Sequence, residues 1–168
     1  QIIELLAERV DHEHQDPLAA MVGITVHDAP PEDEVLLRLL PNAYADDEAS
    51  AEFRRYTEDS LRQKKRAHAM AIYEALMPND EIWSADKPID RGSIEVSLNT
   101  DEIMVWLGGL NDLRLALAVR LGIGENSPNV KAERQKFELM KESDPMKAVY
   151  AVYSWLGWLQ QSLLDQLN

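Results

Sequence analysis

The sequence predicts a mostly α-helical fold, a compact bundle of helices around one buried central helix. Residues 101–121 are apolar on nearly every side of a helix, and a helix that is hydrophobic all round belongs in a core. Residues 46–77 contain no proline or glycine, which favours one long helix. The remaining chain is divided into shorter helical segments by prolines, glycines and acidic cap residues. Its 168 residues suit a single domain, 1–168, that can bury a core.

The first third of the chain predicts three short helices. The first covers 1–14, where apolar residues recur at helical spacing. The second follows the pair Asp16-Pro17, which combines an N-cap residue with a proline at the first helical position. An acidic triplet at 32–34 suits the positive end of the dipole of a third helix, 35–40.

The long helix over 46–77 predicts one inward face and one solvated face. The inward face is expected to carry Phe53, Thr57, Leu61, Lys64, His68, Ile72 and Leu76. On the opposite face, Glu58 stands four residues from both Arg54 and Arg62, and such pairs are typical of an exposed helix surface. His68 is expected to be a hydrogen-bonded core histidine.

The middle of the chain predicts a short strand followed by the central helix. Apolar and polar residues alternate over 94–98, which indicates a minor β element. Thr100 is the expected N-cap of the helix 101–121, and Gly122 is its expected left-handed stop. The adjacent glycines 108 and 109 predict that another helix packs closely against this one.

Two helices are predicted at the end of the chain. The first, 130–142, is charged and weakly amphipathic. The second begins at Asp144-Pro145 and continues to about residue 167. Its apolar stripe is formed by Val149, Tyr153, Leu156, Gln160, Leu163 and Leu167. Trp155 and Trp158 cannot both face that stripe, and we expect one of them to pack under a neighbouring segment. The alternative is an exposed aromatic residue, which would suit a contact with a partner protein.

Polar side chains interrupt the apolar central helix and predict a buried polar network. A charged side chain in such a helix must be paired or must reach solvent at the edge of the core, because an unpaired buried charge is strongly unfavourable. The expected members of the network are Glu52, Arg55, Asn111, Asp112, Arg114, Arg120 and Gln160. The alternative that remains open is a small-ligand or enzymatic site built on Asn111, Asp112 and Arg114.

Several classes of function are disfavoured by composition and motifs. The sequence has no cysteine, which excludes thiol catalysis and thiolate metal sites. His12 and His14 lack the four-residue spacing of a zinc protease motif, so we expect no metal site. No phosphate loop or nucleophile elbow is present, and we expect no catalytic residues and no cofactor. We expect no membrane span and a cytoplasmic location.

Charge is unevenly distributed along the chain. The net charge of −13 disfavours direct binding to nucleic acids or to anionic membranes. Residues 1–50 carry 12 acidic and 2 basic side chains, whereas residues 51–77 carry 4 acidic and 6 basic ones. The predicted surface for a protein partner therefore comprises Arg54, Arg62, Lys65, Arg66 and Trp158. The sequence is also compatible with a homo-oligomer.

Three blocks of the sequence resemble a known family. They are LPNAYADDEASAEFRRYTEDSLRQKK (40–65), WLGGLNDLRLALAVRLGI (106–123) and YSWLGWLQQSLLDQL (153–167). Their order and spacing resemble an actinobacterial family of domains of unknown function, often encoded beside the ClpS protease adaptor, that includes the oxidation-sensing regulator AosR. The resemblance implies a small helical, non-catalytic regulator that acts through protein contacts in stress-linked transcription, with a sigma factor as the partner. It also implies a thiol redox switch, which this cysteine-free sequence cannot form.

Overall fold

The computed structural model describes residues 2–7, 29–77, 94–124 and 130–167 of the chain. These residues form six α-helices, which confirms the predicted class: α1 (Ile2–Ala7), α2 (Glu34–Leu39), α3 (Asp47–Leu76), α4 (Thr100–Leu121), α5 (Val130–Glu138) and α6 (Pro145–Asp165). Most of the first predicted helix and all of the second, which follows Asp16-Pro17, lie outside the described residues.

Aspartates cap three of the helices at the positions that the sequence indicates. Asp33, Asp46 and Asp144 each accept a hydrogen bond from a backbone N–H in the first turn of α2, α3 and α6, respectively. Such a cap satisfies one of the N–H groups that a helix start leaves without an intrahelical acceptor. The predicted C-terminal end of α5 is less accurate, since the helix ends at Glu138, four residues before the predicted Glu142.

The central helix α4 is capped by Asn99 rather than by Thr100. The Asn99 side chain accepts a hydrogen bond from the Glu102 N–H at 3.0 Å, and the Glu102 carboxylate accepts one from the Asn99 N–H at 2.7 Å. This reciprocal capping box satisfies two backbone donors at once. Gly122 ends the helix with a φ of 67°, a left-handed conformation that favours glycine.

Helix α4 lies at the centre of the packing, as predicted. It contacts α2, α3 and α6, and α5 packs on α6. On one side, Leu115, Ala116 and Val119 of α4 pack against a cluster formed by Leu6, Val35, Leu36, Leu39 and Leu40. On the other side, Trp106 and Leu110 form a second cluster with Ile72 of α3 and Leu156 of α6. Helix α4 thus buries apolar side chains on more than one side.

Paired glycines allow α3 and α4 to approach closely. A Cβ atom on Gly109 would lie 2.6 Å from Ile72 Cδ1 and 3.1 Å from the His68 carbonyl oxygen, and a Cβ on Gly108 would overlap the His68 ring. The first separation is shorter than a carbon–carbon contact allows, and the second is tighter than most such contacts. The close helix contact predicted from these glycines is therefore confirmed.

The predicted strand at 94–98 is not formed within the described parts of the chain. Residues 94–99 have no regular secondary structure. Val96 and Leu98 nevertheless pack against the second apolar cluster, while Ile94 is 43% exposed. The alternation of apolar and polar residues correctly indicates which side chains turn inward. A strand additionally needs hydrogen bonds from a neighbouring strand, which alternation alone does not supply.

The predicted inward face of α3 is wrong in the first half of the helix. Phe53 and Leu61 are 42% and 39% exposed. The face that is buried instead carries Ser50, Arg54, Glu58 and Arg62. Only in the second half does an apolar residue of the predicted face, Ile72, enter the core. Charged residues can occupy an interior face when each finds a hydrogen-bonding partner there.

Candidate functional site

A row of three buried charges runs along the inner face of α3, and we call Arg54, Glu58 and Arg62 the charge ladder. Glu58 forms ion pairs with Arg54 on one side and, at 2.8 Å, with Arg62 on the other. Arg54 also donates to the Leu40 carbonyl oxygen at 3.1 Å, and Arg62 to the Leu5 carbonyl oxygen at 3.4 Å. The ladder thus connects α3 to α1 and to the segment that follows α2.

The charge ladder corrects the predicted partner surface. Arg54 and Arg62 are only 5% and 8% exposed, so they are not available to an incoming protein. Lys65 is largely buried and is paired with Asp112. Arg66 and Trp158 are exposed, but they lie on different helices, α3 and α6. The basic residues of α3 therefore do not form one continuous basic strip on the surface.

The predicted polar network separates into two independent contacts. On the α3 side of α4, Asp112 accepts a hydrogen bond from Lys65 Nζ at 2.7 Å and is 4% exposed. On the α6 side, Arg114 Nη1 donates to Gln160 Oε1 at 2.6 Å. Residues two apart in a helix point to different sides, which explains why Asp112 and Arg114 do not meet.

Arg114 fastens α4 to α6 by several contacts. Its guanidinium carbon lies 5.0 Å from the centre of the Tyr153 ring, within the range of a cation–π interaction. The same group lies 3.4 Å from the position that a Cβ on Gly157 would occupy. Gln160, which accepts from Arg114, also donates to the Leu107 carbonyl oxygen at 3.4 Å. Arg114 Nε is buried and has no hydrogen-bond partner in the described structure.

The other predicted members of the network are not buried. Glu52, Arg55, Asn111 and Arg120 are all exposed to solvent. The prediction of a buried network is therefore wrong for these four residues. The alternative of a ligand site on Asn111, Asp112 and Arg114 also loses its basis, because the first is in solvent and the other two face different helices.

His68 packs against the paired glycines at the contact between α3 and α4. Burial and the neighbouring Lys64 charge lower the pKa of His68 from its ordinary value of 6.5, against an opposing effect of Asp112. The folded protein therefore favours the neutral imidazole. His68 contacts Gly108 in a half-buried position, so it belongs to the helix interface and not to a solvent-filled cleft.

A groove with a volume of about 310 Å³ opens between residues 39–43 and the first half of α3. Its walls include Phe53 and Leu61, and its lining continues along α3 to Lys65. Arg54 and Glu58 of the charge ladder also line it. The sequence pattern does not predict this groove, because it places Phe53 and Leu61 in the core.

An exposed apolar surface lies on α6, and we call Val152, Trp155 and Trp158 the α6 face. These side chains are 49%, 54% and 64% exposed, respectively. No charged residue occurs in the sequence between Lys147 and Asp165. Both tryptophans are thus on the surface, and the expectation that one of them packs under a neighbouring segment is wrong.

Within the described ranges, no group of three or more histidine and acidic side chains is placed to hold a metal ion. His12 and His14 lie outside those ranges. None of the described helices has the length and apolar character that crossing a membrane requires.

Comparisons with known proteins show what the chain is similar to. The family described as Domain of unknown function (DUF2017) matches residues 1–167. A protein of Mycobacterium bovis named oxidative stress regulator AosR is 29% identical over 178 aligned positions, covering 97% of this chain and 72% of the relative. A Mycobacterium tuberculosis protein of the same name has the same identity and coverage. No solved structure matches the chain.

Proposed function

Since the chain belongs to the DUF2017 family and its relatives carry the name of an oxidative stress regulator, we propose that it is a non-catalytic regulatory protein that acts by binding another protein. The family resemblance supports a component of the transcription machinery, such as a sigma factor, as that partner, and hence action in the cytoplasm. The signal that this regulator senses would not be the formation of a disulfide within these residues, because they include no cysteine.

The α6 face is the observation that carries this proposal. A helix on the surface of a globular protein ordinarily turns charged and polar residues to water. Here the exposed side holds Trp155 and Trp158, each more than half exposed, on a helix without charge from residue 148 to residue 164. Tryptophan is among the residues most enriched at the energetic centre of protein interfaces, where charged residues are depleted.

The charge of the chain restricts what kind of partner would fit. A net charge of −13 repels other acidic proteins at long range and attracts basic surfaces. The α6 face itself is uncharged and would lose little hydration free energy on being covered. The fitting partner therefore offers an apolar patch to the two tryptophans and basic residues around it. Raising the salt concentration should slow association without abolishing it.

Binding to purified sigma factors of the source organism tests the proposal. The Trp158→Ala variant should weaken binding by about 30-fold or more, as truncation of a central interface tryptophan does. Tyr56→Ala is the matched control, because Tyr56 is a similarly exposed aromatic residue (58%) on α3. Equal binding by wild type and Trp158→Ala would contradict the role of the α6 face.

Self-association has to be distinguished from binding to another protein. Sedimentation of the wild-type chain and of Trp158→Ala at matched concentrations makes the distinction. If the wild type is a dimer that Trp158→Ala converts to a monomer, the α6 face joins two copies, and the proposal of a different protein as its occupant fails.

A further inference from the structure

We propose that the groove between residues 39–43 and α3 binds a small amphipathic carboxylate, a molecule with a short unbranched hydrocarbon chain and one anionic head group. This inference is independent of the proposed function, since the groove does not include the α6 face. It rests on the shape of the groove, on the rigidity of its walls and on the balance of charge beside it.

The size and lining of the groove suit a small apolar molecule. Its volume of about 310 Å³ falls at the lower end of the range typical of small-molecule sites. Phe53 and Leu61, which line it, are 42% and 39% exposed and so keep apolar surface in contact with water. A hydrocarbon chain lying between them and Leu39 would remove that surface from water, which is favourable in proportion to the area covered.

Hydrogen bonds hold the two walls in place without a ligand. Ser50 Oγ on α3 donates to the Tyr44 carbonyl oxygen at 2.8 Å and accepts from the Tyr44 N–H at 3.0 Å. Arg54 Nη2 donates to the Leu40 carbonyl oxygen at 3.1 Å and to Asn42 Oδ1 at 3.0 Å. These contacts fix the segment after α2 against α3. A preformed groove spares a ligand the entropic cost of ordering its walls.

The charges beside the groove favour a single negative head group. The charged side chains that line the groove are Arg54, Glu58 and Lys65, two positive and one negative. Glu58 pairs with Arg54, and Lys65, which pairs with Asp112, is the second cation of the lining. Lys65 also has spare donors, because its ammonium group can donate three hydrogen bonds and gives one to Asp112. We therefore place the head group of the ligand at Lys65 and its chain along Phe53 and Leu61.

Titration of the full chain with hexanoate, octanoate and decanoate tests the ligand class. Saturable binding should strengthen by about twofold to fourfold for each added methylene group, the increment expected for a chain that enters an apolar groove. Methyl decanoate should bind about tenfold more weakly than decanoate, because it lacks the charge that Lys65 recognises. Decylamine should bind more weakly still. Non-saturable binding, or decylamine binding as tightly as decanoate, would overturn the proposal.

Two substitutions on α3 test the location. The Thr57→Phe variant adds a ring at a position that lines the groove and should weaken decanoate binding at least about tenfold. Ser60→Phe is the matched control, because Ser60 is exposed and, like Thr57, donates its hydroxyl to a carbonyl oxygen of its own helix. The affinity of Ser60→Phe for decanoate should lie within about twofold of the wild-type affinity. Equal affinity of Thr57→Phe and the wild type would place the ligand elsewhere and contradict the inference.

Discussion

Lys65 Nζ on the long helix α3 lies 2.7 Å from Asp112 Oδ1 on the central helix α4, and this pair joins two residues that are 47 positions apart in the sequence. The Asp112 side chain is 6% exposed and that of Lys65 is 20% exposed, so the bond is poorly screened by water. Arg114 and Gln160 form the corresponding polar contact between α4 and α6. The central helix is thus held on two sides by polar contacts in addition to its apolar clusters.

Replacing Lys65 with Met should destabilise the fold by about 3 kcal/mol, because it removes the partner of the buried Asp112 carboxylate. Urea unfolding measures the change. The double variant Lys65→Met, Asp112→Leu removes both charges and should recover most of the lost stability. If the single and the double variant are equally unstable, the loss comes from packing and the ion pair is not its cause.

Replacing Glu58 with Gln should cost about 3 kcal/mol or more, because it leaves the buried guanidinium groups of Arg54 and Arg62 without their shared carboxylate. The free energy of unfolding in urea is again the measurement. Glu52→Gln makes the same chemical change at an exposed position of the same helix and should shift stability by less than about 0.5 kcal/mol. A similar effect of both substitutions would argue against the charge ladder.

Replacing Gly109 with Ala should lower stability by about 1–2 kcal/mol, because the added methyl group meets Ile72 and the backbone of His68. Gly157→Ala is the control. The three atoms nearest to its added methyl group would belong to the Arg114 guanidinium, the closest at 3.4 Å, an ordinary contact distance. Alanine in a helix interior is up to about 1 kcal/mol better than glycine, so Gly157→Ala should be neutral or stabilising in thermal unfolding. Equal losses for both variants would contradict the close approach at Gly109.

Stability should decline as the pH falls below the ordinary pKa of His68. Burial and the Lys64 charge lower the folded-state pKa of His68 below 6.5, so the unfolded chain takes up this proton at a higher pH than the folded chain does. The contribution of His68 is therefore complete above pH 6.5 and is lost as the pH falls through that value toward the folded-state pKa. The groups whose charges act on the imidazole are Lys64, Lys65 and Asp112.

Unfolding free energies between about pH 7.5 and about pH 5.5 measure this dependence. The variant His68→Gln removes the imidazole and should show a shallower decline than the wild type, whereas the remaining histidines contribute equally to both proteins. Parallel curves for the two proteins would show that His68 has the same pKa in the folded and unfolded chains.

Local features of the sequence determined the helical class, the start of most helices and the close contact at the paired glycines. Asp33, Asp46 and Asp144 cap their helices because the N–H groups that they accept from are only two or three residues away. Gly122 stops α4 for an equally local reason, its left-handed φ. The three blocks that resemble a known family likewise indicate the correct family from the order of residues alone.

Tertiary structure alone decided which face of α3 is buried and what the polar residues do. Charged residues at helical spacing give the same sequence pattern on an exposed face and on a buried one. The pattern therefore predicted an exposed face for Arg54 and Arg62. The partners that stabilise them inside are backbone oxygens of Leu40 and Leu5, which come from other segments of the fold. Because the charged face of α3 is buried, Phe53 and Leu61 lie toward solvent, where they line the groove. The burial of a charge depends on partners that are distant in sequence, and a local pattern does not contain them.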